Sequence, residues 1–435
     1  MLAGVGRHRL EIAVLALALQ STLSLESLGI ATRIAASHVL LPYFAVAILV
    51  GLFTSSRFAL AIRWRWVAAF FFAALVLMAH GLQVGRDYTG EVSAWGVRRA
   101  VSTVLMLAYL MVGVYVGARG EAARDGLALA FAACAWLIGA LTYAAYLLAS
   151  MIDAPIPVLL YPSYSRLQGL MDNPNAFGWI VVCALCFHLA YLDRGRGPWH
   201  RLSVPGLAVL IAVVVLASSK SAWLGAFVGS GIVVAIRRPP LRPVAVALVL
   251  GAALSGIGAI APAPQHSDSF IADLGESTLA IDSVALRIDQ FRLAIELIGE
   301  HPIWGIGLGS FPWEEARRGM RVWHYLHNSV LWLWTELGPL AVVLFLAFFA
   351  YVVRALWPRP RSRGNDPFAV AVFAILWAFA AISAADEVIY QRYLWVFVGA
   401  ALAVPVSARA AVRPRQGTLE PPTRHSDVPV AGTGP

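Results

Sequence analysis

One histidine and three cations, far apart in the sequence, have the side chains best suited to chemistry. His327 stands where a long polar stretch meets an apolar one. A histidine side chain can act as a general base. Arg166, Lys220 and Arg287 occupy three separate segments. Cations of this kind bind phosphate, and when preorganised they stabilise developing negative charge.

Each of these residues also has a plainer interpretation. His327 could be an interfacial histidine that is satisfied by a backbone partner. His324, one turn earlier, competes with it for the role of base. The cations could anchor to lipid phosphates or extend their charged ends from an apolar surface to the membrane interface. The elements that carry these side chains therefore have to be placed first.

The composition predicts a membrane protein. Of 435 residues, 60% are hydrophobic and only 13% are charged, and the mean hydropathy is +0.73. Soluble chains carry roughly 25% charged residues, and disorder requires low hydrophobicity. The three cysteines all lie in apolar stretches, which argues against a disulfide framework or a zinc site. We therefore predict one all-α, polytopic membrane body.

A spanning helix needs about 20 mostly apolar residues, and the sequence offers twelve candidates. They cover 11–31, 37–55, 65–83, 100–118, 126–150, 176–192, 203–218, 220–236, 242–262, 327–353, 368–385 and 391–408. The first is interrupted by Glu26, and the short Ser218–Ser221 run leaves the seventh and eighth open to being one element.

The distribution of basic residues predicts the orientation. With a cytoplasmic N-terminus, 21 basic residues fall inside and 12 outside, five of the latter in one long loop that the positive-inside rule discounts. Both termini are therefore expected in the cytoplasm. The net charge of +9 is then a topology signal, so nucleic acid is not an expected partner. Residues 409–435 form a disordered cytoplasmic tail by composition, and residues 1–408 form the body.

The outer segment 263–326 is the only large predicted non-spanning part of the body. Val284 to Glu300 shows helical periodicity, and Pro302 ends it. Ser310 and Pro312 predict a second short helix with Glu314 and Glu315 in its first turn. Between them, Gly305–Gly309 has GxGxG spacing. With no following Lys-Ser/Thr, this spacing favours a tight turn over a phosphate loop.

Three stretches together resemble the O-antigen ligase/polymerase superfamily, most closely the WaaL-type O-antigen ligases. They are Ser165-Arg166-Leu167-Gln168-Gly169 with Asp172-Asn173-Pro174-Asn175, Arg287 through His301-Pro302 to Gly305-Ile306-Gly307-Leu308-Gly309, and His327-Asn328 with Glu336-Leu337-Gly338. Lys220 stands where that family usually has arginine, so the fork geometry of a guanidinium is lost there.

The resemblance implies a glycosyltransferase with a GT-C-like fold and a helical periplasmic loop in the bacterial inner membrane. It would transfer a glycan from undecaprenyl diphosphate to lipid A-core at the periplasmic face, with inversion and without metal, cofactor or nucleotide sugar. His327 would be the base, and Arg166, Lys220 and Arg287 would bind the diphosphate. Further possible substrate contacts are Asn173, Asn175, Arg317, Arg318, Arg321, His324 and Asn328.

Three rival functions remain open. An O-antigen polymerase and a protein O-oligosaccharyltransferase share the superfamily, and a lipid-linked sugar flippase would belong to another class. Glu336 lies about 14 Å deeper than His327 along a helix and is expected to pair with a polar neighbour. Asp386 and Glu387 are candidates for acceptor contact. The aromatic residues around His327 fit an interfacial belt, with sugar stacking as the alternative for Trp323.

Overall fold

The computed structural model describes residues 2–24, 33–54, 64–152, 166–171, 173–194, 198–260, 276–320, 326–357 and 366–403. Within these ranges the chain is almost entirely helical. The helices are α1 Leu2–Leu19, α2 Ala36–Thr54, α3 Trp64–Thr89, α4 Ala94–Ala118, α5 Glu121–Ile152, α6 Pro174–Ala190, α7 Pro198–Leu216, α8 Lys220–Arg237, α9 Leu241–Ile260, α10 Glu276–Glu300, α11 Phe311–Arg317, α12 Ser329–Leu337, α13 Pro339–Leu356, α14 Pro367–Ile382 and α15 Arg392–Leu402.

The helices have the length and composition of a polytopic membrane protein. Five described helices are long and apolar enough to cross a bilayer, namely Trp66–Thr89, Ala94–Ala118, Glu121–Met151, Leu241–Ala259 and Pro339–Leu356. Five shorter apolar helices accompany them. The body is therefore an all-helical membrane bundle, as its composition predicts.

Helix α6 lies at the centre of the bundle. It is apolar on all faces and almost all of its residues are buried, as expected for a helix that is hydrophobic all round. It packs against α5, α7, α8 and α14. Beside it, α4 and α15 approach closely through glycines. A Cβ added at Gly113 would lie 2.1 Å from the Val396 carbonyl oxygen.

The first predicted span ends earlier than its apolar pattern suggests. Instead of 11–31, α1 stops at Leu19, and the chain enters a short antiparallel ribbon. Its strands are β1 Thr22–Ser24 and β2 Arg33–Ala35, with Leu23 opposite Ile34. The backbone N–H of Thr22 donates to the Leu170 carbonyl at 3.0 Å, so the ribbon is held against the segment that precedes α6.

The predicted tenth span, 327–353, is two helices. The sequence Gly338-Pro339 separates α12 from α13, and Gly338 has a φ of +78°. A Cβ there would lie 2.0 Å from the Ile303 carbonyl oxygen, so glycine is required by both backbone conformation and space. The short run at 218–221 does separate two helices, since Ser219 caps α8 and Ser218 has a φ of +49°.

The segment predicted to lie outside the membrane forms α10 and α11. The predicted helix 284–300 lies within α10, and Ser310 and Pro312 start α11 as expected. Leu293, Ala294 and Leu297 are buried, and α10 packs against α12. Helix α10 is therefore fixed to the element that begins just after His327.

Ion pairs at the opposite end of the bundle tie neighbouring helices together. Arg119 donates to Glu11 at 2.8 Å, and Arg124 donates to Asp366 at 2.6 Å. Asp366 also caps α14 through its other oxygen. These two arginines therefore have protein partners in the folded state.

Candidate functional site

A polar cavity of about 410 Å³ opens at the end of the bundle where α4, α6 and α12 begin. Helix α4 forms one wall with Trp95, Arg98, Arg99 and Ser102. The start of α6 forms another with Asn173, Asn175, Ala176 and Trp179. His327 and the turn between α14 and α15 complete it with Asp386, Glu387, Tyr390 and Gln391.

His327 and Asp386 form a buried pair in this cavity. The Nδ1 atom of His327 lies 3.1 Å from Oδ1 of Asp386, and the two side chains are 8% and 4% exposed. An ionised carboxylate only accepts hydrogen bonds, so Nδ1 carries the proton and donates it. Nε2 is then the basic nitrogen of the ring. The arrangement fixes the tautomer that a general base requires.

Asp386 is held by two further groups. Its Oδ2 accepts a hydrogen bond from the Ser221 hydroxyl at 2.6 Å. Its Oδ1 lies 3.9 Å from Nη2 of Arg287. The Ser221 hydroxyl in turn accepts from Trp179 Nε1 at 3.3 Å. Residues from α6, α8 and α10 thus converge on the carboxylate that orients His327.

The cap of α12 positions His327. The Asn328 side chain accepts from the backbone N–H of Val330 and Leu331 at 3.0 and 2.9 Å, and its amide donates to the Ala384 carbonyl at 3.1 Å. The Ser329 hydroxyl donates to the Asp386 carbonyl at 3.2 Å. Asn328 is therefore a cap that joins the histidine segment to the Asp386 turn.

Arg166 hydrogen-bonds to the start of α6, which forms one wall of the cavity. Its Nη2 donates to Oδ1 of Asn175 at 3.0 Å, and its Nε donates to the Ala217 carbonyl at 3.1 Å. Asn173 caps α6 by accepting from the Asn175 N–H at 2.7 Å, as expected for an asparagine before a helix. Arg166 contacts a residue of the cavity wall and does not itself line the cavity.

Lys220 is the first residue of α8, and its side chain is exposed. Its helix reaches the site through the neighbouring serines. Ser219 caps α8, and its hydroxyl lies 3.2 Å from that of Ser221. The structure therefore brings the Ser218–Ser221 turn to the Asp386 carboxylate through Ser221.

Arg317 and Arg318 lie on a separate cluster around Glu314. Both guanidinium groups donate to this carboxylate, at 2.9 and 3.2 Å, and Arg318 also pairs with Glu296 at 2.7 Å. Burial opposes ionisation of Glu314, but the hydrogen bonds from Arg317, Tyr88 and Arg318 outweigh it and lower its pKa. Arg321 and His324 lie outside the described residues.

The glycine loop 305–309 is a tight turn inserted between helices. Ile306 and Leu308 are fully buried. Gly307 has a φ of +93°, and a Cβ there would lie 2.0 Å from the Gly85 nitrogen. Glu336 accepts from the Gly309 N–H at 2.9 Å and from Trp332 Nε1 at 2.8 Å. The loop's polar groups are thus used within the protein, and Glu336 has the structural pairing expected of it.

Arg98 and Arg99 were not assigned to the site by the sequence, whereas Glu387, a candidate for acceptor contact, does line the cavity. Arg99 is buried, donates to Glu387 at 3.1 Å and stacks on Trp332 at 4.3 Å. Burial raises the pKa of Glu387 to about 7, against the opposing charge of Arg99. The available signal was two adjacent arginines on the predicted outer side, where the positive-inside rule disfavours them.

Residues 205–346 match the family model described as O-antigen ligase. This match to about a third of the chain supports an O-antigen ligase-type family. The matched stretch contains Lys220, Arg287 and His327, while Arg98, Arg166 and Asp386 lie outside it. No curated protein matches the chain. The resemblance stated from the motifs is confirmed at the level of this family.

In the described parts of the chain, no three His, Cys, Asp or Glu side chains are grouped so that they could hold a metal ion. Charged side chains of the cavity pair with one another, as His327 does with Asp386 and Arg99 with Glu387.

Proposed function

We propose that the protein is an O-antigen ligase that transfers a glycan from undecaprenyl diphosphate to lipid A-core. The observation that carries this proposal is the His327–Asp386 pair, buried in a polar cavity beside Arg287. The family supports a glycosyltransferase-like enzyme acting on a lipid-linked glycan. The cavity has the side chains that transfer from a diphosphate needs, a base and nearby cations.

The proposed reaction is a single displacement. Nε2 of His327 takes the proton of an acceptor hydroxyl, and that oxygen forms a bond to the anomeric carbon of the donor sugar. The bond between this carbon and the diphosphate oxygen breaks, and the diphosphate leaves with the electron pair. Attack opposite the leaving group inverts the anomeric centre. Asp386 stabilises the imidazolium that forms.

The leaving diphosphate gains negative charge as its bond breaks. We assign its stabilisation to Arg287, which lies beside Asp386, and to Arg166, which braces Asn175. Lys220 joins them as the exposed cation at the start of α8. Preorganised cations lower the barrier at a developing charge, so the proposed reaction requires no metal ion.

The proposed setting is a bacterial inner membrane, crossed about twelve times by a GT-C-like body of residues 1–408. Both termini face the cytoplasm, and the cavity faces the periplasm. The positive-inside count supports this orientation. A cysteine-accessibility experiment tests it. A cysteine placed at Arg86 should react with a membrane-impermeant maleimide in intact cells, and one placed at Arg238 should not.

The direct test is a transfer assay. Purified protein in nanodiscs is mixed with undecaprenyl-diphosphate glycan and lipid A-core, and the product is separated by gel electrophoresis. We expect a ligated product with wild-type protein, also in the presence of EDTA. Loss of transfer with EDTA would contradict the metal-independent mechanism.

Incubation with donor alone separates the ligase from its closest rival. An O-antigen polymerase would lengthen the glycan on its lipid carrier without lipid A-core, and that result would overturn the ligase assignment. Transfer to a protein acceptor would favour a protein O-oligosaccharyltransferase. Movement of intact donor across the bilayer without transfer would favour a flippase.

A further inference from the structure

Two adjacent arginines on α4 line the same cavity in different ways. Arg99 is buried, its guanidinium is paired with Glu387 at 3.1 Å, and it stacks on the Trp332 ring. Its charge is therefore balanced within the protein. Arg98 is exposed, and no carboxylate pairs with it in the described parts of the chain. The α4 wall thus presents one uncompensated positive charge to the cavity.

Arg98 is accompanied by an aromatic ring. Its guanidinium carbon lies 5.0 Å from the centre of the Trp95 ring, one helical turn earlier, and both residues line the cavity. Stacking of this kind keeps the planar guanidinium in a defined orientation. An indole face packs against the apolar face of a sugar, and a guanidinium binds phosphate or carboxylate bidentately. The combination suits a sugar that carries an anionic group.

The α6 wall and the Asp386 turn each have a cation behind them that the proposed donor site uses, and the α4 wall is separate from both. Arg166 stands behind the α6 wall, and Arg287 reaches Asp386 from α10. In the proposed function these cations bind the donor diphosphate. A displacement with inversion places the attacking hydroxyl and the leaving group on opposite sides of the anomeric carbon. The α4 wall is then available to the second substrate.

We propose that Trp95 and Arg98 form an acceptor subsite that binds an anionic sugar, through stacking on the indole and pairing with the guanidinium. This proposal rests on the proposed function and adds to it the residues that select the acceptor. The anionic group is a phosphate or a carboxylate on the acceptor glycan, since both match the guanidinium fork.

The test measures acceptor kinetics at saturating donor, and donor kinetics at saturating acceptor, for R98A, R98K, W95A and wild type in nanodiscs. The acceptors are lipid A-core and the same material after its phosphates have been removed. A third acceptor has its carboxylates reduced. R86A serves as the control, because Arg86 is an exposed arginine at the end of α3 that does not line the cavity.

We expect R98A to raise the acceptor KM about ten-fold or more, as loss of a charge-assisted contact implies. The kcat and the donor KM should change less than about two-fold by the same comparison. R98K should raise the acceptor KM less than R98A does, because lysine keeps the positive charge but cannot form two parallel hydrogen bonds to the anion. R86A should match wild type. The acceptor whose modification abolishes the difference between R98A and wild type identifies the anion.

Two results would overturn the proposal while leaving the proposed function intact. One is an unchanged acceptor KM in both R98A and W95A, with active transfer. The other is a rise in donor KM in R98A, which would assign Arg98 to the diphosphate. If wild-type protein transfers no glycan to lipid A-core, the proposed function fails and the acceptor subsite fails with it.

Discussion

The glycine loop 305–309 and the cavity beside His327 both have sequence features typical of ligand sites, yet their polar groups are used differently. In the loop, backbone N–H groups donate to Glu336 and to neighbouring carbonyls, and the side chains are buried. Around the cavity, polar and charged side chains surround open space. A motif can bind a ligand only where its polar atoms are not already hydrogen-bonded to other groups of the protein. Changes in the loop should therefore alter stability, and changes in the cavity should alter rate.

The largest effect is expected for H327A. Removing the base should lower kcat by about 10²- to 10⁴-fold, the usual contribution of general base catalysis. The melting temperature in detergent should stay close to that of wild type. The measurement is the rate of ligation at saturating donor and acceptor. Wild-type activity in folded H327A would show that another residue removes the proton.

The next largest effect is expected for E336A, and it should appear in stability. Glu336 is fully buried and accepts from Gly309, Phe311 and Trp332. Its loss leaves these donors unpaired, at a cost of about 3 kcal/mol or more in the free energy of unfolding. Denaturant unfolding of the two proteins in detergent measures this difference in the free energy of unfolding. The control is E296A, an exposed acid paired with Arg318, which should cost at most about 1 kcal/mol. Equal costs would contradict the structural role of Glu336.

A smaller effect on rate is expected for D386N. The amide keeps the shape of the side chain but no longer fixes Nδ1 of His327 as the protonated nitrogen. We expect kcat to fall about 10- to 100-fold, as when the partner that orients a functional histidine is lost. Unchanged kcat with normal folding would indicate that Asp386 serves only to join the segments.

The smallest effect is a pH dependence of acceptor binding. The pKa of Glu387 is about 7 because the group is buried, so its negative charge is lost as pH falls from 8 to 6. Arg99 and Arg98 then face less opposing charge, while Glu336 still lies 4.0 Å from Arg99. Affinity for the anionic acceptor should rise about three- to ten-fold over this range. E387Q should abolish the change, and a pH dependence that survives in E387Q would contradict the assignment.

Periodicity and composition were sufficient to predict most of the helices. The predicted spans 37–55, 176–192 and 220–236 nearly coincide with α2, α6 and α8. The errors came where a local signal opposed a long apolar run. Gly338-Pro339 broke the tenth span because the backbone there packs against Ile303, a contact between segments far apart in the chain. The ribbon after α1 likewise depends on partners that periodicity cannot reveal.

The site was predicted in part. Residue type and position singled out His327, Arg166 and Arg287, and the structure brings all three to the cavity or to residues that line it. Arg98 was missed, and Asp386 was expected only to contact the acceptor, not to pair with His327. Arg98 lies on α4, and Asp386 lies between α14 and α15, so each joins His327 only through tertiary packing. Residue type and position can single out individual side chains in the sequence, but which of them contact one another depends on the tertiary fold.

The central claim is that His327 and Asp386 act as one catalytic unit, and a double-mutant cycle in the transfer assay tests it most directly. If Asp386 works through His327, H327A/D386N should lose no more activity than H327A alone, because the second change removes the partner of a base that is already absent. Losses that multiply in the double variant would show that the two side chains act independently, and Asp386 would then not work through His327.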